Sequence, residues 1–405
     1  MQLPPQANPD NGLLVLYANQ GRSVRLLTVI EIGVVGAGAG GCAIARRLAE
    51  AGCRVELYEA RAEVGGNCYD AYDEYGVLVH CFGPHYFRAD DDDLIQWLSR
   101  FTQWLPGRYC VRARVGNTLI PLPVSLATMT ALKGQAFSPG RLEKYLADHR
   151  EEIAQPCNAE EQCLATVGRE LYELLFAGYT EKQWGTSARR LDPSVTARLP
   201  LRFDWDERYV NETYQIMPKD GYTAMFRSMI DHPLIGLHVH SALDAQAVFD
   251  LRKWHDAVVF TGPIDALFDH RYGELGYRSL RFEWHHYPDN FLQPCVQINY
   301  PDSTTDYTRT VEAKHVTQQV VDGTTVCYEY PSQHGPPFYP ILNEENLRLY
   351  DRYRQLAAAE SRSEHPLLLL GRLAEFRYYN MDQVLLRASA LSGQLLNELH
   401  VPQFA

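Results

Sequence analysis

The chain has 405 residues, of which 46% are apolar and 22% charged, the balance of a folded globular protein rather than a disordered one. At roughly 100–200 residues per domain, this length predicts two or three domains. The net charge of -12 argues against a nucleic-acid-binding protein, because phosphate backbones require clustered lysines and arginines.

Nine cysteines show no CxxC pair and no metal-ligand spacing, which predicts reduced thiols in a cytoplasmic protein without a metal site. No apolar run reaches the roughly 18–20 residues of a membrane-spanning helix, so no membrane span is expected. Residues 1–28 lack a charged segment followed by a long apolar one, so they are interpreted as an N-terminal extension and not as a signal peptide.

The first predicted unit is strand, helix, strand. An apolar strand over Thr28–Val35 runs into a glycine-rich turn, Gly36–Gly41, and a helix follows over Cys42–Gly52. A second strand, Arg54–Tyr58, ends on Glu59. This order is that of a βαβ unit with its glycines at the strand-to-helix turn.

The middle of the chain alternates between segments with strand-like periodicity and segments with helical periodicity. Gly76–Pro123 predicts short strands around one amphipathic helix, Leu94–Leu105, and helical character extends from Pro139 to about Leu199. From Arg202 to Tyr330, strand-like segments rich in Tyr, Trp, Thr and Val dominate.

The tail returns to the opening pattern, with a helix near Glu344–Ala359, a strand over Leu367–Leu370 and a last helix from about Met381 to Leu399. The late strand predicts that the chain comes back to complete the parallel sheet of the first domain. We therefore predict a discontinuous nucleotide-binding domain, an inserted helical domain and an antiparallel sheet domain. Their expected ranges are 29–75, 219–270 and 340–405 for the first, 90–106 and 124–198 for the second, and 76–89, 107–123, 199–218 and 271–339 for the third.

The glycine turn carries the first chemical signal. In Gly36-x-Gly38-x-x-Gly41, the first glycine allows the tight turn, the second lets the backbone approach a pyrophosphate, and the third permits close helix–strand packing. The free N–H groups of the helix then face the phosphates. Glu59 stands where an acidic residue accepts a hydrogen bond from a ribose hydroxyl. The alternative is an ordinary glycine-rich turn.

The residues after Glu59 favour FAD over NAD. Arg61 and Gly65-Gly66-Asn67 resemble the second signature of the glutathione-reductase-type FAD proteins, and Gly371-Arg372 resembles their C-terminal signature. The first domain is thus predicted to be a Rossmann-like FAD-binding domain within an α/β protein. The alternative for Gly65-Gly66 is a simple turn.

Six further stretches occur in order along the chain: His80–Phe87, Gly178–Gly185, Leu199–Phe203, Met217–Tyr222, Asp306–Arg309 and Arg377–Asp382. Their order and spacing resemble the UDP-galactopyranose mutase family from about Val34 to Leu396, which is nearly the whole chain. Amine oxidases and desaturases share the FAD fingerprint but lack the Gly-Tyr-Thr-x-Lys-Gln-Trp-Gly run.

The resemblance implies an isomerase that interconverts the pyranose and furanose forms of a nucleotide-diphosphate hexose, most like UDP-galactopyranose and UDP-galactofuranose. In this family, N5 of reduced FAD displaces the nucleoside diphosphate from the anomeric carbon and forms a covalent flavin–sugar adduct, in which the ring opens and closes again. The implied partners are a UDP-hexose and NAD(P)H or another reductant, and a homodimer is left open.

The resemblance also places Arg202 and Arg309 at two diphosphate-binding positions and predicts that both are catalytic. Arginine suits a departing diphosphate because its fork matches phosphate oxygens. Tyr339 and Tyr378 match tyrosines that hydrogen-bond the same diphosphate. The alternative for either arginine is a surface ion pair.

The implied substrate pocket continues around the base and the sugar. Tyr179, Thr180 and Trp184 belong to the matched motif at the uridine pocket. Tyr209 matches that pocket less firmly, because Val210 stands where the family commonly has Phe. Two polar residues face the sugar and flavin by the same resemblance, with buried polar structure as the alternative: Asn299 and Glu329.

Several residues are assigned to the flavin itself. His85, in a Gly-Pro-His turn, is expected beside the isoalloxazine and is included among the catalytic residues. Arg372 and the start of the last helix, Met381-Asp382-Gln383, would contact the ribityl chain and the pyrimidine edge. The N–H groups of that helix start would stabilise the negative charge of reduced flavin.

The polar segment Gly185–Leu199 matches a loop that closes over substrate in the family, which would carry Arg202 inward and exclude water. The alternative is a simple surface loop. The sequence departs from the family at Arg88, where a second histidine is usual, and at Asn380, where an aspartate is usual. Both changes predict a more positive site.

These departures leave the sugar open, so a deoxy, acetamido or acidic hexose is an alternative substrate. Two other hypotheses compete with the mutase. One is a redox flavoenzyme of the amine-oxidase or desaturase type on the same fold, and the other is a non-catalytic relative that binds nucleotide sugars.

Overall fold

The computed structural model describes residues 29–197 and 200–401, so the predicted extension 1–28 and the last two residues of the predicted loop, Arg198 and Leu199, lie outside the described residues. Within these ranges, seventeen strands are numbered β1 to β17 in chain order. They span Glu31–Val35, Arg54–Tyr58, Asp70–Tyr72, Leu78–His80, Phe87–Ala89, Trp104–Pro106, Val111–Val115, Thr118–Leu122, Tyr214–Pro218, Ile235–His238, Ala257–Phe260, Tyr277–Tyr287, Gln297–Asn299, Arg309–Glu312, Thr324–Ser332, Tyr339–Pro340 and Leu367–Leu369.

Fourteen α-helices, α1 to α14, accompany them in the same described ranges. They span Ala39–Glu50, Asp92–Leu98, Leu126–Lys133, Pro139–His149, Ala159–Val167, Arg169–Tyr172, Gly178–Trp184, Ser194–Ala197, Tyr222–Ile230, Ala245–Leu251, Ile264–Leu267, Lys314–Thr317, Glu344–Glu360 and Met381–Glu398. Between α6 and α7, the segment Glu173–Ala177 forms a π-helical turn, a feature frequent at functional sites.

A parallel five-stranded sheet holds the glycine turn. Its strand order is β10-β2-β1-β11-β17, and every neighbouring pair is parallel. The central strand β1 is apolar because both faces of such a sheet are covered, and its Ile32 and Val34 are fully buried. The late strand β17 pairs with β11, which confirms that the tail completes the first sheet.

A seven-stranded sheet forms the second layer, in the order β16-β12-β15-β14-β13-β7-β8. Its pairs are antiparallel except for β13 with β7, which run parallel. The helices from α3 to α7 bury their apolar faces against β7 and β8 in one core cluster. The mixed α/β fold is therefore as predicted, while the exact domain limits remain a prediction.

Two element predictions are wrong. The helix expected over Leu94–Leu105 ends at Leu98, and Trp104–Pro106 is instead strand β6, which pairs with β9. Strand pairing with a segment more than 100 residues away leaves no trace in local periodicity. The stretch predicted as mostly strand also contains α9 to α12, of which α9 buries one apolar face in the same core cluster as α1.

Candidate active site

The glycine turn leaves no room for a side chain at two of its glycines. Gly36 has φ +98°, and a Cβ there would lie 2.0 Å from Oγ1 of Thr261. A Cβ on Gly41 would lie 1.8 Å from the carbonyl oxygen of Gly36. These two glycines therefore let strand, turn and helix approach closely, as the fingerprint requires.

Glu59 braces this turn from the end of β2. Its carboxylate accepts one hydrogen bond from the N–H of Ala37 and another from the N–H of Arg61, both at 2.8 Å. The residue is 5% exposed. Each carboxylate oxygen of Glu59 can accept a further hydrogen bond. The predicted contact between Glu59 and a ribose hydroxyl stays a prediction.

The second glycine signature lies directly on the first. The N–H of Gly65 donates to the carbonyl of Ala37 at 2.8 Å, and a Cβ on Gly66 would lie 2.9 Å from Cα of Gly38. Arg61 secures this contact by donating to the carbonyl of Gly66 at 2.8 Å and to Oδ1 of Asn67 at 3.2 Å. The two signatures form one backbone cradle.

Beside this cradle, a cavity of about 190 Å³ brings together most of the predicted substrate residues. Helix α7, strands β13, β14 and β16 and the start of α14 all contribute side chains to its wall. The predicted site residues that line it are His85, Arg88, Tyr179, Thr180, Trp184, Tyr209, Asn299, Arg309, Tyr339, Arg372, Tyr378, Asn380 and Met381.

Arg309 is one of three arginines that line the cavity, with Arg88 and Arg372. Its Nη2 lies 2.8 Å from the carboxylate of Glu329, which is fully buried on the neighbouring strand β15. Burial alone would lower the pKa of the Arg309 guanidinium, but Glu329 and the phenol of Tyr179 hold that pKa well above its ordinary value. Arg309 therefore stays charged.

Nε of Arg309 is buried without a hydrogen-bond partner among the described residues, whereas both carboxylate oxygens of Glu329 lie 2.8 Å from Nη2 of Arg309. The hydroxyl of Tyr86, which lines the same cavity, is a second unpartnered polar group among the described residues. Unpartnered buried polar atoms are costly in a folded protein. A donor and a hydroxyl so placed favour a polar ligand. Glu329 is fully buried and is not among the residues that line the cavity, so its predicted contact with the sugar stays a prediction.

Aromatic rings form another part of the cavity wall. Tyr339 and Tyr378 stack with their ring centroids 5.6 Å apart, and the Trp184 ring lies 6.2 Å from each. The Arg372 guanidinium lies 5.1 Å from the Tyr339 ring. Burial raises the pKa of the Tyr179 and Tyr339 phenols, so both remain protonated donors at neutral pH.

His85 faces the cavity as a neutral acceptor. Its Nδ1 lies 2.9 Å from the carbonyl oxygen of Gly83, which can only accept, so the network assigns the proton to Nδ1 and a lone pair to Nε2. The backbone N–H of His85 donates to Nδ1 of His80 at 3.1 Å. Burial, with His80 and Arg372 nearby, lowers the pKa of His85 to about 3.

The two departures from the family pattern are in contact. Nη2 of Arg88 donates to Oδ1 of Asn380 at 2.9 Å, and Nη1 lies 3.0 Å from the carboxylate of Glu212. Glu212 therefore offsets the charge of Arg88. The expectation that both substitutions make the site more positive than in the family stays a prediction.

The start of α14 and the preceding turn contribute to the cavity wall. The backbone N–H of Asn380 donates to Oε1 of Gln383 at 2.8 Å, so that amide oxygen is used at the helix start. Asp382 has a buried Oδ1 without a partner among the described residues, and burial raises the pKa of its carboxyl. After Gly371, Arg372 donates to the carbonyl of Tyr379 at 2.7 Å.

Arg202 does not line the cavity. Its Nε and Nη2 donate to the carbonyls of Arg208 and Val210 at 3.1 and 2.7 Å, and its Nη1 lies 3.3 Å from Asp206. A catalytic role would require these contacts to break, and it stays a prediction. In the segment Gly185–Leu199, the described part to residue 197 contains a 3-10 turn and α8.

Three cavity residues, Tyr86, Tyr109 and Gln297, were not predicted as site residues, although Tyr86 lies in the matched stretch His80–Phe87. The Tyr109 ring stacks on Tyr86 with centroids 3.5 Å apart, and its hydroxyl donates to Gln297 at 2.7 Å. Gln297 in turn donates to Asn299 at 2.7 Å. Tyr86 follows His85 directly and Gln297 lies two positions before Asn299 on one strand face, so adjacency to predicted residues was the available signal.

No helix among residues 29–197 and 200–401 is both long and apolar enough to span a bilayer. In the same described residues, no three His, Cys, Asp or Glu side chains cluster as a metal site. The parallel sheet, the cradle and the polar cavity define a nucleotide-binding α/β enzyme with a Rossmann-like domain.

Comparison with known proteins narrows this class. A family model for UDP-galactopyranose mutase matches residues 174–378, and one for an NAD(P)-binding Rossmann-like domain matches residues 34–101. A "Probable UDP-galactopyranose mutase" of Klebsiella pneumoniae is 35% identical over 91% of this chain and 95% of its own length. A dTDP-fucopyranose mutase of Escherichia coli is 34% identical over 86% of this chain and 94% of its own length.

The fold agrees with these relatives. The crystal structure of a reduced UDP-galactopyranose mutase superposes with a TM-score of 0.71 at 16% identity, covering 92% of this chain and 95% of that one. The chain belongs to the UDP-galactopyranose mutase family, whose members interconvert the pyranose and furanose forms of nucleotide sugars. It is thus an isomerase.

Proposed function

We propose that the chain interconverts the pyranose and furanose forms of a nucleotide-diphosphate hexose and that it does so with reduced FAD. The observation that carries the proposal is the single cavity in which Arg309 and Tyr339 face the same space as His85 and Arg372. Arg309 and Tyr339 suit a diphosphate. His85 and Arg372 lie beside the start of α14. This helix packs next to the glycine turn, where Val384 lies against Gly40.

The residues present fit FAD. The backbone cradle of Gly38 and Gly66 would hold the pyrophosphate, Glu59 the ribose, and the helix start at Met381 the flavin edge. Bound in its reduced form, FAD would supply N5 as the nucleophile for the anomeric carbon, the covalent route that the family resemblance implies.

The side chains of the protein perform the remaining tasks in this proposal. The charged Arg309, with Nε available, stabilises the departing diphosphate, and the ion pair with Glu329 holds the Arg309 guanidinium in place. The phenols of Tyr339 and Tyr179 donate further hydrogen bonds. His85, neutral with a lone pair on Nε2, accepts a hydrogen bond and does not act as a cation.

For the base and the sugar of the proposed substrate, the relatives favour two classes of nucleotide sugar. The relatives' names give a UDP-linked galactose and a dTDP-linked fucose, so UDP-galactopyranose and a dTDP-deoxyhexose are the leading candidates. Arg88 and Asn380 are the residues proposed to discriminate between sugar substituents, because they line the cavity and depart from the family pattern. NAD(P)H or another reductant would keep the flavin reduced.

The test is a substrate panel under anaerobic conditions. Protein reduced with dithionite is incubated with UDP-galactopyranose, dTDP-fucopyranose, a UDP-acetamidohexose and a UDP-uronic acid, and the products are separated by anion-exchange chromatography. We expect a furanose product from at least one substrate and none from oxidised protein. Binding without conversion of any substrate would contradict the mutase and favour a non-catalytic binder, whereas coupled oxygen consumption would favour a redox flavoenzyme.

A further inference from the structure

Arg278, the second residue of β12, is a buried cation outside the site described so far. It is 5% exposed. Burial lowers the pKa of its guanidinium, and no neighbouring charge among the described residues offsets this effect. An unpaired buried charge is costly, so its place in the fold requires an explanation.

The guanidinium lies on the C-terminal end of α7. Nε donates to the carbonyl of Gln183 at 2.8 Å, and Nη2 donates to the carbonyl of Lys182 at 3.1 Å. The last carbonyls of a helix have no partner within the helix and carry its negative dipole end. The guanidinium of Arg278 therefore donates to carbonyl oxygens where a buried arginine would otherwise need a carboxylate. Its positive charge is favourable beside the negative end of the helix dipole.

The Arg278 guanidinium lies so close to the end of α7 that it restricts which residue can follow the helix. Gly185 caps α7 with φ +66°, and a Cβ at this position would lie 2.8 Å from Nη1 of Arg278. The final glycine of the Gly-Tyr-Thr-x-Lys-Gln-Trp-Gly run thus has two structural reasons: its left-handed backbone conformation, and the Arg278 guanidinium, which a side chain here would displace.

Arg278 also connects two walls of the cavity. Trp184, the last residue of α7, lines it from one side, and Tyr339 lines it from β16. Arg278 is the register partner of Tyr339, and its carbonyl accepts from the N–H of Phe338 at 3.0 Å. One residue therefore holds both the ring expected to contact the base and the tyrosine expected to contact the diphosphate.

We propose that Arg278 is a positioning residue of the nucleotide pocket, which fixes Trp184 relative to Tyr339 and so sets the affinity for the nucleoside diphosphate. This inference rests on the proposed function, because that function assigns a nucleoside diphosphate to the cavity. Arginine is required because one planar fork reaches two carbonyls, whereas a lysine ammonium is a single point charge.

The test compares Arg278→Met with Arg278→Lys in the FAD-loaded protein. The Kd for UDP and for dTDP is measured by isothermal titration calorimetry, and KM and kcat are measured with the substrate found in the panel. We expect the Met variant to raise the Kd of the better ligand about tenfold, or about 1.4 kcal/mol. We expect kcat to change less than about threefold and the Lys variant to recover part of the affinity.

Arg281→Met is the matched control, since Arg281 lies on the same strand with an exposed side chain paired to Glu283. It should leave the Kd unchanged. A Met variant with normal flavin content and an unchanged Kd would overturn the proposal, as would a loss confined to kcat. If the Met variant fails to fold, an unchanged Kd in the Lys variant overturns it instead.

The two proposals fail differently. Wild-type protein that binds UDP or dTDP but converts no nucleotide sugar contradicts the mutase function and still allows the positioning test. An unchanged Kd in both Arg278 variants of an active enzyme contradicts only the role of Arg278.

Discussion

The guanidinium of Arg88 donates a hydrogen bond from Nη2 to Oδ1 of Asn380, 2.9 Å away and 292 residues later in the chain. These are the two positions at which the sequence departs from the family pattern, and the fold makes them neighbours. Glu212 completes the group with its carboxylate 3.0 Å from Nη1 of Arg88. The two departures thus form one coupled unit at the cavity wall.

A double-mutant cycle tests this coupling. Arg88→Met, Asn380→Ala and the double variant are compared by urea unfolding, and we expect a coupling energy of about 1 kcal/mol, as for a partly buried charged hydrogen bond. The distant pair Arg354→Met and Asn380→Ala serves as the control and should be additive. Additivity of the Arg88 and Asn380 variants would show that the contact carries no energy.

Arg309 should not tolerate a change of shape even when its charge is kept. Arg309→Lys removes the fork and the Nε donor, so we expect kcat/KM to fall at least about 100-fold with the flavin content unchanged. Steady-state kinetics on the reduced enzyme measures this. Arg354→Lys, an exposed change on α13, is the control. A lysine variant within about threefold of wild type would remove Arg309 from the proposed diphosphate site.

Two helical glycines give a matched pair for the cofactor cradle. Gly41→Ala places a Cβ 1.8 Å from the carbonyl of Gly36, and we expect a destabilisation of about 1–3 kcal/mol with loss of bound flavin. Gly393→Ala, in α14 with nothing within 4 Å, should be neutral or stabilise by about 0.5–1 kcal/mol. Visible absorbance and urea unfolding report both effects. Full flavin content in Gly41→Ala would contradict the cradle.

The buried neutral state of His85 predicts a pH effect on stability. Its pKa is about 3 in the fold, below the value of about 6.5 in an unfolded chain. The unfolded chain therefore binds a proton that the folded chain does not, so the contribution of His85 is complete above about pH 6.5 and is lost as the pH falls toward 3.

We expect the unfolding free energy of the wild type to drop about 1 kcal/mol more than that of His85→Gln between about pH 7 and pH 5, since His85 is partly open to the cavity. Urea unfolding at both pH values measures the difference. The exposed change His334→Gln is the control. Parallel pH curves for the wild type and His85→Gln would mean that His85 titrates normally.

The sequence predicts those parts of the fold that local patterns specify. The glycine turn, strand β2 and the last helix fall within a few residues of their expected places, because glycine spacing and helical periodicity are local signals. Strand β6 was missed because its partner is β9, more than 100 residues away. Helix α9 was missed although its local signal is present, since Tyr222, Met225, Phe226 and Met229 recur at helical spacing.

The residues of the site divide in the same way, into those that a local motif predicts and those that only the fold brings to the cavity. Residues inside matched motifs, such as Trp184 and Arg309, line the cavity as expected. Tyr109 reaches it only because the parallel pair β7 and β13 sets it beside Gln297, and no motif encodes that pairing. Arg202 shows the reverse case, since it belongs to a matched stretch but donates to the carbonyls of Arg208 and Val210 and does not itself line the cavity.

The most direct test of the central claim is the number of furanose molecules formed per flavin reduced. A stoichiometric pulse of dithionite is added anaerobically to FAD-loaded protein with excess UDP-galactopyranose or dTDP-fucopyranose, and the product is quantified over time. The account predicts many turnovers from one reduction and none after reoxidation, because the reaction has no net redox change. One product per reducing equivalent, or an equal rate with oxidised flavin, would contradict it.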